Sequence, residues 1–259
     1  FYSTNSKNLY TIYNVDGIEG QNETGMLSNY IIEDRRNDKS QLGANFNLIK
    51  EMNDHITLSG GLNLNWYKSY QYKLVDDLMG GDFYLNVDKF AERDLVDPLA
   101  AENDLNKPNQ VIEEGDRYGY DYTANINKYD FFIQADFKYS KVDYFVAGML
   151  SYDEFWRTGH MRNGKFPNDS YGDSEKHSFT NYGVKGGATY KVTGRHLIDV
   201  NAFYTTRAPY FRTAYISPRT RNEVIDGLTN EKILSGDLSY IYRYHYVQAR
   251  VTRYYTKFN

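Results

Sequence analysis

From Ile56 to Trp66 every second residue is apolar or glycine, in the series Ile56, Leu58, Gly60, Leu62, Leu64 and Trp66. The positions between them, Thr57, Ser59, Gly61, Asn63 and Asn65, are small or polar and carry no charge. A repeat of two is that of a β-strand, not of an amphipathic helix. Just upstream, Leu42, Ala44, Phe46 and Leu48 alternate with Gln41, Gly43, Asn45 and Asn47, and only the polar stretch 50–54 separates the two runs. The pair predicts an antiparallel hairpin over residues 40–72. Its second face lacks the Lys and Glu that usually solvate a surface strand. Two architectures meet that description: a soluble sheet with one wet face, or a membrane barrel with lipid outside and a wet lumen.

Composition bears on the choice. Tyrosine contributes 27 residues and aromatics 17% of the chain, while the mean hydropathy is negative. Few soluble cores need so many phenols, whereas a membrane interface uses rings with one apolar and one wet end. The longest apolar stretch, 144–150, is of strand length and far short of the roughly 18 residues of a membrane-spanning helix. There is no cysteine, which excludes disulfides and thiolate metal sites, and a net charge of -4 gives no reason to expect nucleic acid as a partner. The chain opens and closes inside strand-like patterns, without an initiator Met or signal peptide, and is expected to be a piece of a longer protein.

In order, the pattern predicts a strand over 1–13, a polar connection over 14–39, the hairpin, and a long connection over 73–117. Strands follow over 118–138 and 144–156, joined by a short turn at 140–142. After a long connection over 158–177 come strands at 178–191 and 198–205 around a short turn at 192–194. A last long connection, 207–232, leads to strands at 233–242 and 246–258. That is about nine strands whose connections alternate long and short, as in outer-membrane barrels with short periplasmic turns and long external loops. Trp66 and Trp156 each lie about a dozen residues beyond a short turn, roughly 30 Å up the barrel at about 3.3 Å per residue and a tilt near 40°, the height of an upper aromatic girdle. Tyr139, Tyr144, Tyr190, Tyr242 and Tyr246 stand beside the short turns and predict a lower one. The parity holding Leu42, Phe46, Leu58, Leu62, Val146, Leu150, Val184 and Val200 is then expected to face lipid. Asn45, Asn63, Gln134, Asp136, Lys185 and Asn201 are expected to face the lumen.

Residues with chemistry are sparse. Asp76, Asp77, Asp82, Asp88, Glu92, Asp94 and Asp97 crowd one connection but lack the spacing of a calcium loop, so solvated loop charge is the better reading. The five histidines, His55, His160, His177, His196 and His245, fall on separate strand ends and loops with no paired metal spacing. No nucleophile elbow, carboxylate pair or phosphate loop stands out, no catalytic or metal residue is assigned and no cofactor is expected. Gly186-Gly187 lies in a strand without the helix a dinucleotide site needs, and is read as strand packing. Phe83, Tyr84, Phe90, Tyr171, Tyr210 and Phe211, with Tyr215, are the aromatic loop residues placed to stack on a ligand, or to pack the loops together. Arg207, Arg212, Arg219 and Arg221 are read chiefly as partners of loop carboxylates, the alternative being anionic groups at the mouth.

The segments Gly80-Gly81-Asp82-Phe83-Tyr84, Val87-Asp88-Lys89-Phe90-Ala91-Glu92-Arg93-Asp94 and Asn103-Asp104-Leu105-Asn106-Lys107-Pro108-Asn109 resemble barrel loops of SusC-like TonB-dependent outer-membrane receptors. Ile216-Ser217-Pro218-Arg219-Thr220-Arg221, Asp237-Leu238-Ser239-Tyr240 and the closing stretch 250–258 are similar to the later barrel of that family. The resemblance covers nearly the whole chain. It implies part of a plugged barrel of about 22 strands, imports glycan or peptide fragments across the outer membrane with TonB-derived energy, and implies a SusD-like surface lipoprotein as partner. The plug, the TonB-contacting segment and the remaining strands are absent from the sequence. A soluble β-rich glycan-binding module and a β-rich glycan-degrading enzyme are the alternatives, the latter expected to show a carboxylate pair about 5–9.5 Å apart. By itself the chain is expected neither to transport nor to catalyse.

Overall fold

The structure is a computed structural model that describes residues 5, 8–95 and 97–259. Its strands are β1 (Leu9–Ile12), β2 (Glu23–Met26), β3 (Ile32–Asn53), β4 (Ile56–Asp77), β5 (Tyr84–Leu85), β6 (Val111–Ile112), β7 (Arg117–Lys138), β8 (Val142–Gly159), β9 (Gly172–Asp173), β10 (His177–Lys191), β11 (His196–Arg207), β12 (Glu231–Tyr244) and β13 (Val247–Phe258). Eight long strands form one antiparallel sheet in the order β3, β4, β7, β8, β10, β11, β12, β13, and two-residue β9 pairs with the end of β8. Each long strand therefore pairs with the next long strand in the chain. β3 and β13 are the edges and do not pair with each other. Among the described residues no helix is long and apolar enough to cross a membrane.

Three expectations need correction. Of the strand expected over 1–13, residues 1–4, 6 and 7 lie outside the described residues, and the strand within the rest, β1, pairs only with β2 in a separate small ribbon. The connection expected over 14–39 is too long, because β3 begins at Ile32 and carries the charged stretch that was expected to be loop. Those charges are tolerated in the strand because they have cross-strand partners: Glu33 accepts hydrogen bonds from Lys73 at 2.8 Å and from Tyr118, and Asp38 accepts one from Tyr72 at 2.5 Å. The turn of the first hairpin is also tighter than the stretch 50–54, since only Asp54 and His55 stand between β3 and β4. The Asn53 carboxamide oxygen accepts the His55 amide at 2.9 Å and helps close it. The alternation of long and short connections holds through all eight strands. Short links follow β3, β7, β10 and β12, while the long segments 78–116, 160–176 and 208–230 lie at the opposite rim.

The faces are sorted opposite to those of a soluble sheet. On β8, β10 and β12 the polar residues Ser151, Asn181 and Ser239 are 4%, 1% and 0% exposed, whereas their neighbours Leu150, Tyr182 and Leu238 are 54%, 51% and 52% exposed. One row on the apolar face runs Phe46, Leu62, Phe131, Leu150, Tyr182, and the row behind it runs Asn45, Asn63, Asp130, Ser151, Asn181. The polar side chains satisfy one another across strands, with Asn63 donating to Asp130 at 3.0 Å and Asn181 to Asp153 at 2.7 Å. Phe145 lies flat on this face because Gly187 opposite it has no side chain; a Cβ there would stand 2.6 Å from the Phe145 ring. β13 departs from the sorting, since its register sets Arg253 opposite Leu238 and Lys257 opposite Leu234.

Aromatic pairs bracket the apolar band at both ends. Toward the long loops Trp66 donates to the Tyr129 hydroxyl at 3.1 Å, and Tyr129 stacks on Tyr152 at 6.3 Å. Toward the short turns Phe137 stacks on Tyr144 at 4.5 Å and His55 on Tyr139 at 5.1 Å. The conventional hydrophobic core is not between layers of sheet but at the long-loop rim. One cluster holds Val75, Leu78, Ile112 and Tyr118, and the other Phe155, Phe179, Ala214 and Tyr215.

Candidate functional site

The long-loop rim is a folded layer. The segment 78–116 contains β5, β6 and a short helix, Lys89–Asp94, begun by Asp88, whose carboxylate accepts the amides of Phe90 and Ala91. Segment 160–176 binds it through the Leu105 amide to the Arg162 carbonyl at 2.7 Å and the Gly164 amide to the Glu102 carbonyl at 2.8 Å. Lys165 pairs with Asp88 across the same seam. The acidic cluster is absorbed in this work: Asp82 accepts the Met26 amide, Asp97 the Leu99 amide, and Glu92 and Asp94 pair with Lys89 and Arg93. Among the described residues no group of His, Asp and Glu is placed to hold a metal ion.

Glu102 is strained electrostatically in this layer. It is buried, one carboxylate oxygen has no hydrogen-bond partner, and burial pushes its carboxyl above the ordinary range. A carboxyl raised by folding destabilises the fold at every pH above the raised value, and the penalty is lifted as pH falls through it. Glu102→Gln is therefore expected to stabilise the protein by about 1–2 kcal/mol at neutral pH. Thermal unfolding at neutral and acid pH checks this, since the gain should vanish in acid.

The segment 208–230 folds back over the polar face of the sheet. It closes on itself through the Tyr215–Val224 bridge and the Ile225 amide bonded to the Ala214 carbonyl at 2.9 Å. Phe211 and Tyr215, 4.6 Å apart, pack on Phe155, which in turn stacks on Phe179 at 5.6 Å. Arg157 of β8, 1% exposed, is the anchor. Its guanidinium donates to the Pro218 carbonyl at 2.6 Å, the Ser170 carbonyl at 2.7 Å and the Asn222 side-chain oxygen at 2.5 Å. It also lies over the Tyr122 ring at 5.3 Å. Tyr215 is bonded to the Ser174 hydroxyl at 2.7 Å, and burial pushes its phenol up.

Between this segment and the sheet is a cavity of about 700 Å³. Its floor is Asn37 and Lys39 of β3, Tyr67, Ser69 and Gln71 of β4, and Tyr122, Ala124 and Ile126 of β7; its roof is Tyr210–Arg212 and Tyr215–Arg219. The floor is held by a chain of hydrogen bonds, with Gln71 donating to Ser69 and Ser69 to Asn37, both at 2.7 Å. Such a wall of rings with a few fixed amide and hydroxyl groups is suited to a small ring-bearing ligand.

Of the seven aromatic ligand candidates the structure brings Tyr210, Phe211 and Tyr215 to this cavity. Phe83 is 2% exposed within the rim core, where Asp82 and Phe83 meet Gly25, and Tyr84 packs edge-on against Tyr118 at 5.7 Å. Phe90 and Tyr171 are exposed elsewhere on the rim. The arginines divide. Arg207 and Arg221 pair with Glu231 and Glu223, as expected for loop cations. Arg212 and Arg219 line the cavity instead, with Arg219 over the Tyr120 ring at 5.0 Å. The floor residues and Arg157 were not singled out from sequence. The available signal was an arginine on the polar parity of an otherwise strand-like run.

Fold and site together define an all-β protein built on an open antiparallel sheet, with its apolar face bare and a ligand-sized cavity under the rim. No protein-family model matches the chain, and no curated protein matches it either.

Proposed function

We propose that this chain is part of the transmembrane barrel of an outer-membrane active-transport receptor of the SusC-like, TonB-dependent class, importing glycan or peptide fragments. The observation that carries this reading is the inverted sheet. An apolar band open to water, with side chains from Leu58 at 37% to Leu42 at 67% exposed, would cost free energy over its whole area, whereas in a bilayer the same band is solvated by lipid and the polar face meets a wet lumen. The aromatic rows at its two borders match interfacial girdles. The two unpaired edge strands support further strands beyond β3 and β13, because open edges are not tolerated in lipid-exposed structure.

In this reading the long-loop rim faces outside the cell and is the docking surface for a SusD-like lipoprotein, and TonB acts through a segment outside this sequence. The polar face is interrupted by Phe132, Met149 and Phe203 around a cavity of about 390 Å³, a surface suited to contact with a plug. These 259 residues have no cysteine, so in a complete receptor freed of any other cysteine a single introduced thiol reports its own face. In outer-membrane vesicles, a probe on Leu150→Cys is expected to be quenched by brominated lipid, and one on Asn63→Cys to react with water-soluble maleimide. Equal reaction of both with the water-soluble reagent would overturn the barrel reading. The isolated 259 residues are expected to aggregate; a closed, folded pore from them alone would overturn the reading that further strands complete the barrel.

A further inference from the structure

The cavity under 208–230 is electrostatically one-sided. Lys39, Arg212 and Arg219 line it, and no Asp or Glu does. Among the described residues none of these three has a carboxylate within ion-pair distance, although Arg207 at the end of β11 and Arg221 within the segment both pair with glutamates. Behind the floor, Arg157 presses on Tyr122 and its hydrogen bonds go to carbonyl and amide oxygens, with Asp169 the nearby carboxylate that acts on it without a direct bond. This positive basin is set in a chain of net charge -4, so it is a local arrangement and not the average of the molecule. Unpaired cations in a walled cleft focus field and favour an anion inside it.

The rest of the lining selects among anions. Tyr67, Tyr122 and Tyr210 offer ring faces, and Asn37, Ser69 and Gln71 offer donors and acceptors in a fixed row. Ring faces suit the aliphatic face of a sugar, amides suit its hydroxyls, and guanidinium groups suit a carboxylate in two-pronged fashion. We infer that the cavity binds an acidic oligosaccharide, with Arg212 and Arg219 on the carboxylates and Tyr67 and Tyr210 against the rings. The inference rests on the reading that the rim faces incoming solute, and it adds the charge class of that solute.

The test is calorimetric titration of the complete receptor in detergent with three probes: an oligogalacturonate, its fully methyl-esterified form, which keeps the rings and loses the charge, and an acidic peptide of equal charge. The oligogalacturonate is expected to bind about tenfold or more tightly than the ester, because charge-assisted hydrogen bonds are lost with the charge, and to weaken as salt is raised. The Arg212→Gln/Arg219→Gln double variant should bring it to the level of the ester. Arg195→Gln/Arg243→Gln, the same change of charge beside the short turns, should leave it unchanged. Equal binding of acid and ester overturns the proposal, as does equal binding of the peptide or no binding of the oligogalacturonate at millimolar concentration. The acid and ester comparison needs no variant and so stands even if the double variant misfolds. Charge-dependent binding by a protein whose Leu150 position reacts with water-soluble reagent would retain the cavity and sink the barrel, so the two readings fail separately.

Discussion

Leu62→Arg is expected to destabilise the protein in a bilayer by about 2–4 kcal/mol, the cost of arginine on the lipid side of a barrel near the midplane. Leu62 sits in mid-strand on β4, between Phe46 and Phe131 in register, and is 41% exposed. In a soluble sheet such an exposed position would accept arginine at little cost. The neighbouring position is the control: Asn63 lies on the opposite face 3.0 Å from Asp130, so Asn63→Arg gains a carboxylate partner. Denaturant unfolding in lipid vesicles measures both. A Leu62→Arg penalty no larger than that of Asn63→Arg would remove the case for lipid on that face.

Arg157→Met should cost about 3–5 kcal/mol, because it removes a buried guanidinium and strips one buried and two half-buried acceptors of their donor while keeping most of the side-chain volume. The orphaned groups are the carbonyls of Ser170 and Pro218 and the Asn222 side chain, which belong to two different loops. Loss of the anchor is therefore expected to release 208–230 and open the cavity, leaving the hydrogen bonds of the long strands in place. Limited proteolysis distinguishes this from global unfolding, with cleavage confined to 160–176 and 208–230 while the sheet resists. Arg157→Lys retains the charge but presents a single ammonium in place of the guanidinium fork, and should recover only part of the loss. If Arg157→Met leaves 208–230 as protected as before, the anchoring role is wrong.

How much of this was legible in the sequence depends on which interaction placed each residue. The parity of Leu42, Phe46, Leu58 and Leu62 could be read because side chains alternate across a strand whatever the neighbours are, and the observed register sets Phe46 opposite Leu62 as that parity requires. The stretch 33–39 was misread as loop because its charges look solvated in isolation, whereas Lys73 and Tyr118, which accommodate Glu33, come from two other strands. The cavity was half legible. Tyr210 and Phe211 were visible as aromatics in a long connection, but Tyr67, Gln71 and Tyr122 read as ordinary wall residues. Nothing local reveals that 208–230 turns back over them, since that fold depends on distant partners, Arg157, Phe155 and Asp169 among them.

The order of the sheet bears on how the molecule forms. Every long strand pairs with the next long strand in the chain, so the sheet can be assembled from hairpins, the four with short links closing within microseconds before the long segments bring them side by side. The rim has no such local route. Ser28 meets Phe83, Asp88 meets Lys165, and Asn222 meets Asp169 only after several strands stand side by side in their final order. Rim consolidation is thus the late event of folding and a check on strand order: a sheet with one hairpin misplaced would leave Arg157 without its oxygens and the loops loose, open to proteases and to quality control.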